Sequence, residues 1–319
     1  MSGGGAGFPK GLTMQRNRLP DIDLPAVKAR LGQVGVWLSL PCFHSAETGR
    51  RIAATIEQLG YGALWVGELP GGKEALTNCA NLLSGTDSLM VATGIANIWA
   101  RDAAAAVAGS NALAEASSGR FVFGLGVSHG PLVTQRGHDY SKPLETMRTY
   151  LQAMNMAPYE APLREPPARV VAALREKMLR LAGERAHGAH TYFVTPDHTA
   201  RAREILGPYP LLVPEQAVVL ETDPGRARAI ARDYMAFYLK LPNYLNNLRE
   251  LGFHDDDFAN GGSDALVDAI VPWGEPAALA ERIREHLAVG ADHVCVQPLA
   301  TDVDECLHQL HLLAQDIFR

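Results

Sequence analysis

Short apolar runs alternate along the chain with longer segments in which alanine, leucine and arginine recur at helical spacing. The runs are continuously apolar, which is typical of strands covered on both faces in a parallel sheet. Repeated units of strand and helix predict an α/β fold. Eight runs are predicted as strands: 34–40, 63–67, 90–98, 121–127, 169–174, 189–194, 211–220 and 293–298.

The spacing of these runs favours a closed (β/α)8 TIM barrel. The first four lie roughly 30 residues apart, a usual length for one strand and its crossover helix. The total of 319 residues is a common size for such a barrel. An open doubly wound sheet would show the same alternation, but no G-x-G-x-x-G fingerprint opens the first unit. The helices predicted between and after the strands include 46–59, 74–83, 103–117, 144–156, 224–240 and 277–288.

Two stretches interrupt this regular order and are predicted as loop insertions on the barrel. Residues 131–167 contain the helix 144–156 and then a proline-rich segment that cannot continue a helix. Residues 241–276 contain an acidic cluster at 255–257 and a pair of glycines. Insertions on barrel loops form lids or specificity walls, dimer contacts, or neither, and the sequence leaves these three alternatives open.

The ends and composition of the chain limit its class. We expect residues 1–30 to be a partly disordered N-terminal extension and residues 31–319 to be a single barrel domain, with Met14 an alternative start to Met1. The glycine-rich beginning lacks the apolar core of a signal peptide, and no apolar stretch reaches the roughly 18 to 20 residues that span a bilayer. We therefore expect a cytoplasmic protein that does not associate with membranes.

Charge and cysteine content favour a small-molecule substrate. A formal net charge of -6, with no run rich in lysine or arginine, argues against a nucleic-acid partner. The four cysteines lie far apart, without a C-x-x-C pair or cysteine and histidine spacing for metal. We expect neither a metal site nor a disulfide framework.

Candidate chemistry lies at the predicted carboxyl ends of strands, where α/β folds gather ligands. The fourth strand ends in Gly126, Ser128 and His129. One interpretation is a binding site; the other is that the glycines relieve crowding inside the barrel and His129 caps a turn. His44 and His190 also fall near strand ends. Three histidines at one barrel mouth favour a role in proton transfer over three separate structural roles.

Several motifs in order along the chain resemble the luciferase-like monooxygenase superfamily, in particular its branch of oxidoreductases that use the deazaflavin coenzyme F-420. The motifs are Ser-Ala-Glu-Thr at 45–48, Leu-Gly-Tyr-Gly-Ala-Leu-Trp-Val at 59–66, Ala-Thr-Gly-Ile-Ala-Asn-Ile at 92–98, the segment 118–129 and Ala-His-Gly-Ala-His at 186–190. The resemblance covers residues 34–298. It implies a (β/α)8 barrel that holds a flavin or deazaflavin ring at the carboxyl ends of its strands, usually in a homodimer.

The resemblance implies a set of residues around the cofactor ring. A non-prolyl cis peptide at Gly94–Ile95 would support the ring, and Asn97 would bond its pyrimidine edge; the alternative is a β-bulge with a buried, satisfied asparagine. Glu68 would lie near the ring as an acid, a base or a hydrogen-bond acceptor. Some members have a histidine directly after this acid, whereas this chain has Leu69, so transfer of their mechanism is in doubt.

The remaining site assignments concern the substrate and the phosphate. His129 and His44 would lie on the substrate side, with His190 beside the ring or its ribityl chain and Ser128 also at the cofactor. The phosphate would bind backbone amides after the fifth strand, near Leu174, Arg175 and Glu176, where relatives commonly have glycine near Arg175. A second candidate, residues 195–199, is better interpreted as simple helix capping.

Three functions follow from this resemblance. The first is hydride transfer between coenzyme F-420 and a small organic substrate. The second is an FMN-dependent monooxygenase that works with a separate flavin reductase, and the third is a non-catalytic flavin-binding or deazaflavin-binding barrel. The almost wholly apolar helix near 103–116 favours a homodimer. Arg101 and Arg136 are candidates to meet an anionic substrate, but a solvated surface position is favoured for both.

Overall fold

A computed structural model describes residues 18–319 and contains a closed barrel of parallel strands. β3 and β4 are two parts of one barrel strand, because both pair with β5, so eight strands close the ring. The (β/α)8 TIM barrel is therefore confirmed. The strand segments are β1 Val34–Leu38, β2 Ala63–Val66, β3 Met90–Thr93, β4 Ala96–Asn97, β5 Phe121–Gly126, β6 Ala168–Ala172, β7 Gly188–Thr191, β8 Leu211–Val218 and β9 Val294–Pro298.

Helices surround the barrel and fill both insertions. They are α1 Leu24–Leu31, α2 Leu40–Phe43, α3 Ala46–Gln58, α4 Ala75–Leu83, α5 Ala103–Ala116, α6 Gly130–Gln135, α7 Pro143–Met156, α8 Glu176–Arg185, α9 Pro196–Leu206, α10 Pro224–Tyr238, α11 Pro242–Glu250, α12 Asp264–Ile270, α13 Pro276–Ala288 and α14 Val303–Ile317. A 3-10 helix spans Asp255–Gly261.

All eight predicted strands and all six named helices form, with small differences at their ends. The first strand was predicted to reach residue 40, but it ends at Leu38 because the short helix α2 begins at Leu40, with Pro41 in its first turn. The third strand is interrupted at Gly94–Ile95, where the chain bulges. The interruption places backbone from this strand at the mouth of the barrel.

The glycines of β5 make room for that bulge. A Cβ atom at Gly124 would overlap the carbonyl oxygen of Thr93, and one at Gly126 would overlap the side chain of Ile95. These glycines therefore relieve crowding inside the barrel, as the structural interpretation of the motif predicted. Their functional importance is indirect, since they allow the third strand to bulge.

The first residues lie partly outside the described part of the chain. The extension predicted as disordered, including Met1 and Met14, falls largely in residues 1–17, which the structure does not describe. The boundary predicted at residue 31 is the last residue of α1, which packs Leu31 under the barrel interior. None of the helices within residues 18–319 has the length and apolar character needed to cross a bilayer. The four cysteines are buried and form no disulfide.

Candidate active site

The floor of the barrel mouth is built on the bulge of the third strand. The peptide bond between Gly94 and Ile95 is cis, as the resemblance implied. Both residues are half-buried, whereas the neighbouring Trp37 and His190 are buried. Trp37 Nε1 donates a hydrogen bond of 2.8 Å to the carbonyl oxygen of Gly94. The indole thus fixes the bulge from below and leaves its upper side at the mouth.

His190 adds an unused hydrogen-bond acceptor to this floor. Its Nδ1 donates to the carbonyl oxygen of Val213 at 2.8 Å, while its buried Nε2 has no partner among residues 18–319. Burial lowers the pKa of His190 to about 4, so the ring is neutral near pH 7 and Nε2 carries a lone pair. A Cβ atom at Gly94 would lie 3.3 Å from this nitrogen. The Nε2 atom of His190, an acceptor without a donor, therefore lies beside the bulge.

The ring of His190 is held in place by aromatic packing. It stacks on Trp65, with ring centroids 5.0 Å apart and an interplanar angle of 24°. Both residues come from strands at fixed positions in the barrel, so the free nitrogen is preorganised. A planar ligand with a polar edge fits such a floor, because a buried acceptor without a donor is costly.

Glu68 ties the bulge to the second strand. Its backbone N donates to the carbonyl oxygen of Ile95 at 3.2 Å, and its Oε2 accepts from the backbone N of Asn97 at 2.6 Å. Arg101 contacts both Glu68 oxygens, and its Nη2 bonds Glu74 Oε1 at 2.7 Å. The carboxylate of Glu68 is thus occupied by structural partners.

The surface position expected for Arg101 is wrong. Its side chain is only 8% exposed, and that of Glu68 is 12% exposed. Desolvation would lower the pKa of Arg101, but the hydrogen bonds and charges of Glu68 and Glu74 outweigh it and raise the pKa. This arginine is buried because folding brings the carboxylates of Glu68 and Glu74 next to it.

Asn97 and Ser128 lie at the ends of adjacent strands. Asn97 is buried, and its Oδ1 accepts a hydrogen bond of 3.0 Å from the backbone N of Trp99, which leaves its amide nitrogen as the group that can donate to a ligand. Ser128 has a φ of 57°, a left-handed conformation that is uncommon outside glycine. Such residues cluster at ligand sites, because only a constrained site maintains the strain.

His129 projects from the end of β5 toward the second insertion. It occupies the N-cap position of α6, but its side chain makes no capping bond. Its ring centroid lies 5.7 Å from that of Phe237 and 5.8 Å from that of Tyr244. Burial lowers the pKa of His129, so the imidazole is neutral near pH 7 and competent as a proton acceptor. The structure therefore does not show the alternative role, in which the His129 side chain caps a turn.

The aromatic wall beside His129 comes from α10, α11 and the end of β7. Centroids of contacting rings within it lie 5.0 to 6.0 Å apart, with Phe193 5.0 Å from Tyr238 and 5.5 Å from Tyr244. Phe193 has a φ of 61°, which is rare for a bulky residue. The second insertion thus covers one side of the mouth. The aromatic wall consists of Phe193, Tyr234, Phe237, Tyr238 and Tyr244.

The first insertion borders the site at the end of β5. Tyr140, which precedes α7, donates a hydrogen bond of 3.0 Å to the carbonyl oxygen of Ser128. A cavity of about 540 Å³ lies between the start of α5 and α7, and its lining includes Arg101 and Tyr150. This insertion therefore forms a wall near the ion pair of Glu68 and Arg101.

The three predicted histidines occupy separate positions. His44 follows α2 and donates from Nδ1 to the carbonyl oxygen of Leu40 at 2.9 Å, which fixes its ring at that turn. Among residues 18–319, no hydrogen bond or ring contact joins His44 to His129 or His190. His190 lies in the floor, and His129 lies at the aromatic wall.

The predicted phosphate region is occupied by a carboxylate of the chain itself. Arg175 is the N-cap of α8, and its Nε bonds Glu250 Oε1 at 2.7 Å. Arg201 approaches the other oxygen of Glu250 at 3.0 Å. Arg175 is therefore paired with an acid from α11. Two arginines share this one carboxylate, so the group at the start of α8 keeps a net positive charge.

Other residues near this helix start have structural partners. The buried carbonyl oxygen of Leu174 accepts from His198 Nε2 at 2.6 Å, and Glu176 pairs with Arg180. Thr195 caps α9 by accepting from the backbone N of His198 at 3.3 Å. Residues 195–199 therefore form a helix cap, as the capping interpretation predicted.

One cluster inside the barrel was not anticipated. Glu215 on β8 is 1% exposed, and its Oε2 accepts from the backbone N of Phe193 at 3.1 Å. Tyr192 Oη donates to Gln297 Oε1 at 2.9 Å. The signal in the sequence was a glutamate within an otherwise apolar strand run, which we interpreted only as a strand.

Comparisons with known proteins find similar folds and a relative of similar sequence. A 5,10-methylenetetrahydromethanopterin reductase of Methanolobus tindarius is 26% identical over 102 residues, a match that spans about a third of each chain (32% of this one and 31% of the relative). An F-420-dependent secondary alcohol dehydrogenase, solved with an F-420-acetone adduct, superposes with a TM-score of 0.69 at 13% identity, covering 90% of this chain and 98% of that one. The oxygenating constituent of 3,6-diketocamphane monooxygenase from Pseudomonas putida, solved with FMN, gives 0.68 at 15% identity with the same coverage.

A family model establishes the classification that these similarities suggest. The model of the luciferase-like monooxygenases matches residues 31–293, most of the chain and all but the last of its barrel strands. The resemblance inferred from the motifs is confirmed by this match. The chain belongs to the luciferase-like monooxygenase family.

Proposed function

We propose that this protein is an oxidoreductase that transfers a hydride between coenzyme F-420 and a small organic substrate. The observation that supports it most is the bare, buried Nε2 of His190 beside the bulge at Gly94 and Ile95. A planar cofactor with a polar edge would satisfy that acceptor. One protein of similar fold, the secondary alcohol dehydrogenase, is named as F-420-dependent.

The chain's own residues would hold the cofactor in defined places. Gly94 and Ile95 would support the ring, His190 would accept a hydrogen bond from it, and Asn97 would donate one. Ser128 would contact it from the next strand. Leu174, Arg175 and Glu176 are proposed at its phosphate end, where Arg175 would exchange Glu250 for the anion. When bound, the deazaflavin accepts or supplies a hydride, and the protein supplies orientation and proton transfer.

His129 is proposed as the group that exchanges a proton with the substrate. It is neutral, half-buried and directed at the aromatic wall, so it can accept a hydroxyl proton or return one. His44 is the second candidate, since its Nε2 remains available after Nδ1 bonds Leu40. Glu68 would act at the site by fixing the bulge through Asn97 and Arg101.

An FMN-dependent monooxygenase is the second candidate function. It is favoured by the structural similarity to an oxygenating protein solved with FMN. A non-catalytic binding barrel remains the third, since the chain lacks a histidine directly after Glu68. The floor at Gly94 and His190 would suit either ring system, so ligand binding and turnover must separate the three.

Equilibrium titration of the purified protein with both cofactors tests the preference. We expect the protein to bind coenzyme F-420 more tightly than FMN. Tight binding of FMN without measurable binding of the deazaflavin would support the second function instead. Binding of either cofactor without turnover over a panel of small alcohols, ketones and aldehydes would favour the third.

The pairing of Glu250 with two arginines gives a further prediction about the phosphate end. Glu250→Gln removes the charge that competes for Arg175 and Arg201, and we expect it to tighten binding of the preferred cofactor about threefold to tenfold. Isothermal titration calorimetry measures the change. Glu281→Gln is a matched control, because Glu281 pairs with Arg284 on the exposed surface of α13. Equal affinities for wild type and Glu250→Gln would place the phosphate elsewhere.

We also propose that the protein forms a homodimer. The outer face of α5 exposes small apolar residues, Ala104, Ala108 and Ala112, while Val107 and Leu113 face inward. A flat alanine face permits close approach of a second helix. Sedimentation equilibrium at micromolar concentration is expected to give a dimer, and Ala108→Glu a monomer. A monomeric wild type would refute this arrangement.

A further inference from the structure

Glu215 is a carboxylic acid enclosed within the barrel. Leu211 and Val213, on the same strand, belong to the interior cluster, and alternation along β8 directs Glu215 to the same side. The residue is 1% exposed. Its Oε1 is buried without a hydrogen-bond partner, and no ion pair involving Glu215 forms within residues 18–319.

The groups around Glu215 provide no positive charge. Each element that packs against Glu215 contributes a tyrosine or a cysteine, and burial raises the pKa of each of these side chains. An ionised carboxylate in such surroundings carries a large desolvation cost that no cation offsets. The facing groups are Tyr192 from the end of β7, Tyr234 and Tyr238 from α10, Tyr244 from α11 and Cys295 from β9.

The same carboxyl group holds a strained turn. Phe193 adopts a left-handed conformation, and its backbone N donates to Glu215 Oε2 at 3.1 Å. The preceding Tyr192 accepts a hydrogen bond of 3.0 Å from Tyr238 Oη and donates one of 2.9 Å to Gln297 Oε1. Glu215 is therefore connected through the turn to a side chain that is half-buried at the mouth.

We propose that Glu215 is a positioning residue, kept as an un-ionised carboxylic acid, which fixes the turn at Tyr192 and Phe193 and thereby orients Gln297. With its Oε1 bonded to Tyr192, the Gln297 carboxamide is left with its N–H groups to offer a ligand. A proton on Glu215 Oε1 would also give a donor for the hydroxyl of Tyr234. Both of these atoms are otherwise buried without a partner.

The titration of Glu215 follows from this environment. Burial raises its pKa from 4.5 to about 8, although the bond from Phe193 and the hydroxyl of Tyr234 oppose the rise. The folded state thus binds this proton more tightly than the unfolded chain does. The stabilisation is complete below the unfolded value of 4.5 and is lost as the pH rises through about 8. The turn should loosen when the folded protein loses this proton, near pH 8.

Infrared spectroscopy of the protein without ligand tests the protonation state. We expect the wild type to show the carbonyl stretch of a protonated carboxylic acid, which disappears with a midpoint near pH 8 and is missing in Glu215→Gln. The thermal midpoint of the wild type should fall relative to that of Glu215→Gln as the pH rises from 4.5 to about 8. Absence of the band, or the same titration in Glu215→Gln, would overturn the proposal.

Ligand binding tests the positioning role, which rests on the proposed function. From about pH 6 to about pH 9.5, the dissociation constant of the preferred cofactor should rise about tenfold in the wild type and stay nearly constant in Glu215→Gln. Tyr192→Phe should keep the infrared band but weaken binding at both pH values. A wild-type pH profile that persists in Glu215→Gln would refute the role.

The two proposals can fail separately. If neither FMN nor coenzyme F-420 binds at any pH, the proposed function fails, whereas the infrared band and the thermal midpoints still decide the state of Glu215. In that case Tyr192→Phe tests whether Tyr192 is connected to Glu215. Loss of the Tyr192 hydroxyl should shift the pH midpoint at which the Glu215 carboxyl group titrates. An unshifted midpoint would contradict the connection between Glu215 and Tyr192.

Discussion

Replacing His129 with alanine is expected to lower the rate of hydride transfer by about a hundredfold to ten-thousandfold, the usual contribution of a positioned acid or base. The reason is its position: a neutral imidazole at the end of β5, directed at the aromatic wall through Phe237 and Tyr244. Single-turnover kinetics of the loaded protein measure the rate directly. Cofactor affinity should hardly change, since His129 is proposed on the substrate side.

Two controls separate catalysis from structure at this position. Thermal denaturation of His129→Ala shows whether the protein is destabilised; a purely structural role predicts a loss on the order of 1 kcal/mol with an unchanged rate. Phe237→Leu alters the neighbouring wall without removing a proton-transfer group. An unchanged rate in His129→Ala would remove it from the mechanism and direct the next tests to His44.

Replacing Arg101 with methionine is expected to destabilise the protein by about 3 to 5 kcal/mol. The substitution keeps most of the side-chain volume but leaves Glu68 buried without its cation, next to Glu74. Urea unfolding measures the change in free energy. Arg51→Met is the matched control, because its pair with Asp304 is exposed and should contribute only about 0 to 1 kcal/mol.

A double variant identifies the source of the Arg101 effect. Glu68→Gln removes the charge that Arg101→Met leaves unpaired, so the combined variant should lose less stability than the sum of the single losses. Additive losses, or equal losses for Arg101→Met and Arg51→Met, would show that the buried ion pair does not hold the bulge in place.

The barrel was predictable because its signal is local and repeated. Continuous apolar runs and helical segments at regular spacing identify all eight barrel strands. Among the helices that were not predicted, α6 and α11 are short and have too few turns for a clear periodic pattern. Their existence depends on packing against the barrel mouth, which a local pattern does not encode.

The sequence predicted site positions only where the residues belong to one of the ordered motifs. The ordered motifs indicated the cis peptide at Gly94–Ile95 and the positions of His129 and His190 at the mouth. The burial of Arg101 required Glu68 and Glu74 to come together from separate turns, which spacing alone does not show. Likewise, the pairing of Arg175 with Glu250 joins residues 75 positions apart.

Glu215 shows a different limit of sequence reasoning. A single glutamate in an apolar run does not change the prediction of a strand, and alternation does not reveal which side faces the barrel interior. Only the closed barrel shows that Glu215 points inward and that its neighbours are tyrosines without a cation. Buried titratable residues with shifted pKa values cluster at functional sites, but their burial is recognised only in the folded structure.

A crystal structure of the protein with bound coenzyme F-420 tests the central claim most directly. The account predicts the deazaflavin ring against Gly94 and Ile95, with a donor of the ring within hydrogen-bond distance of His190 Nε2. His129 should then face the open side of the ring at the aromatic wall. A ring bound away from this bulge, with His190 Nε2 still without a partner, would contradict the account.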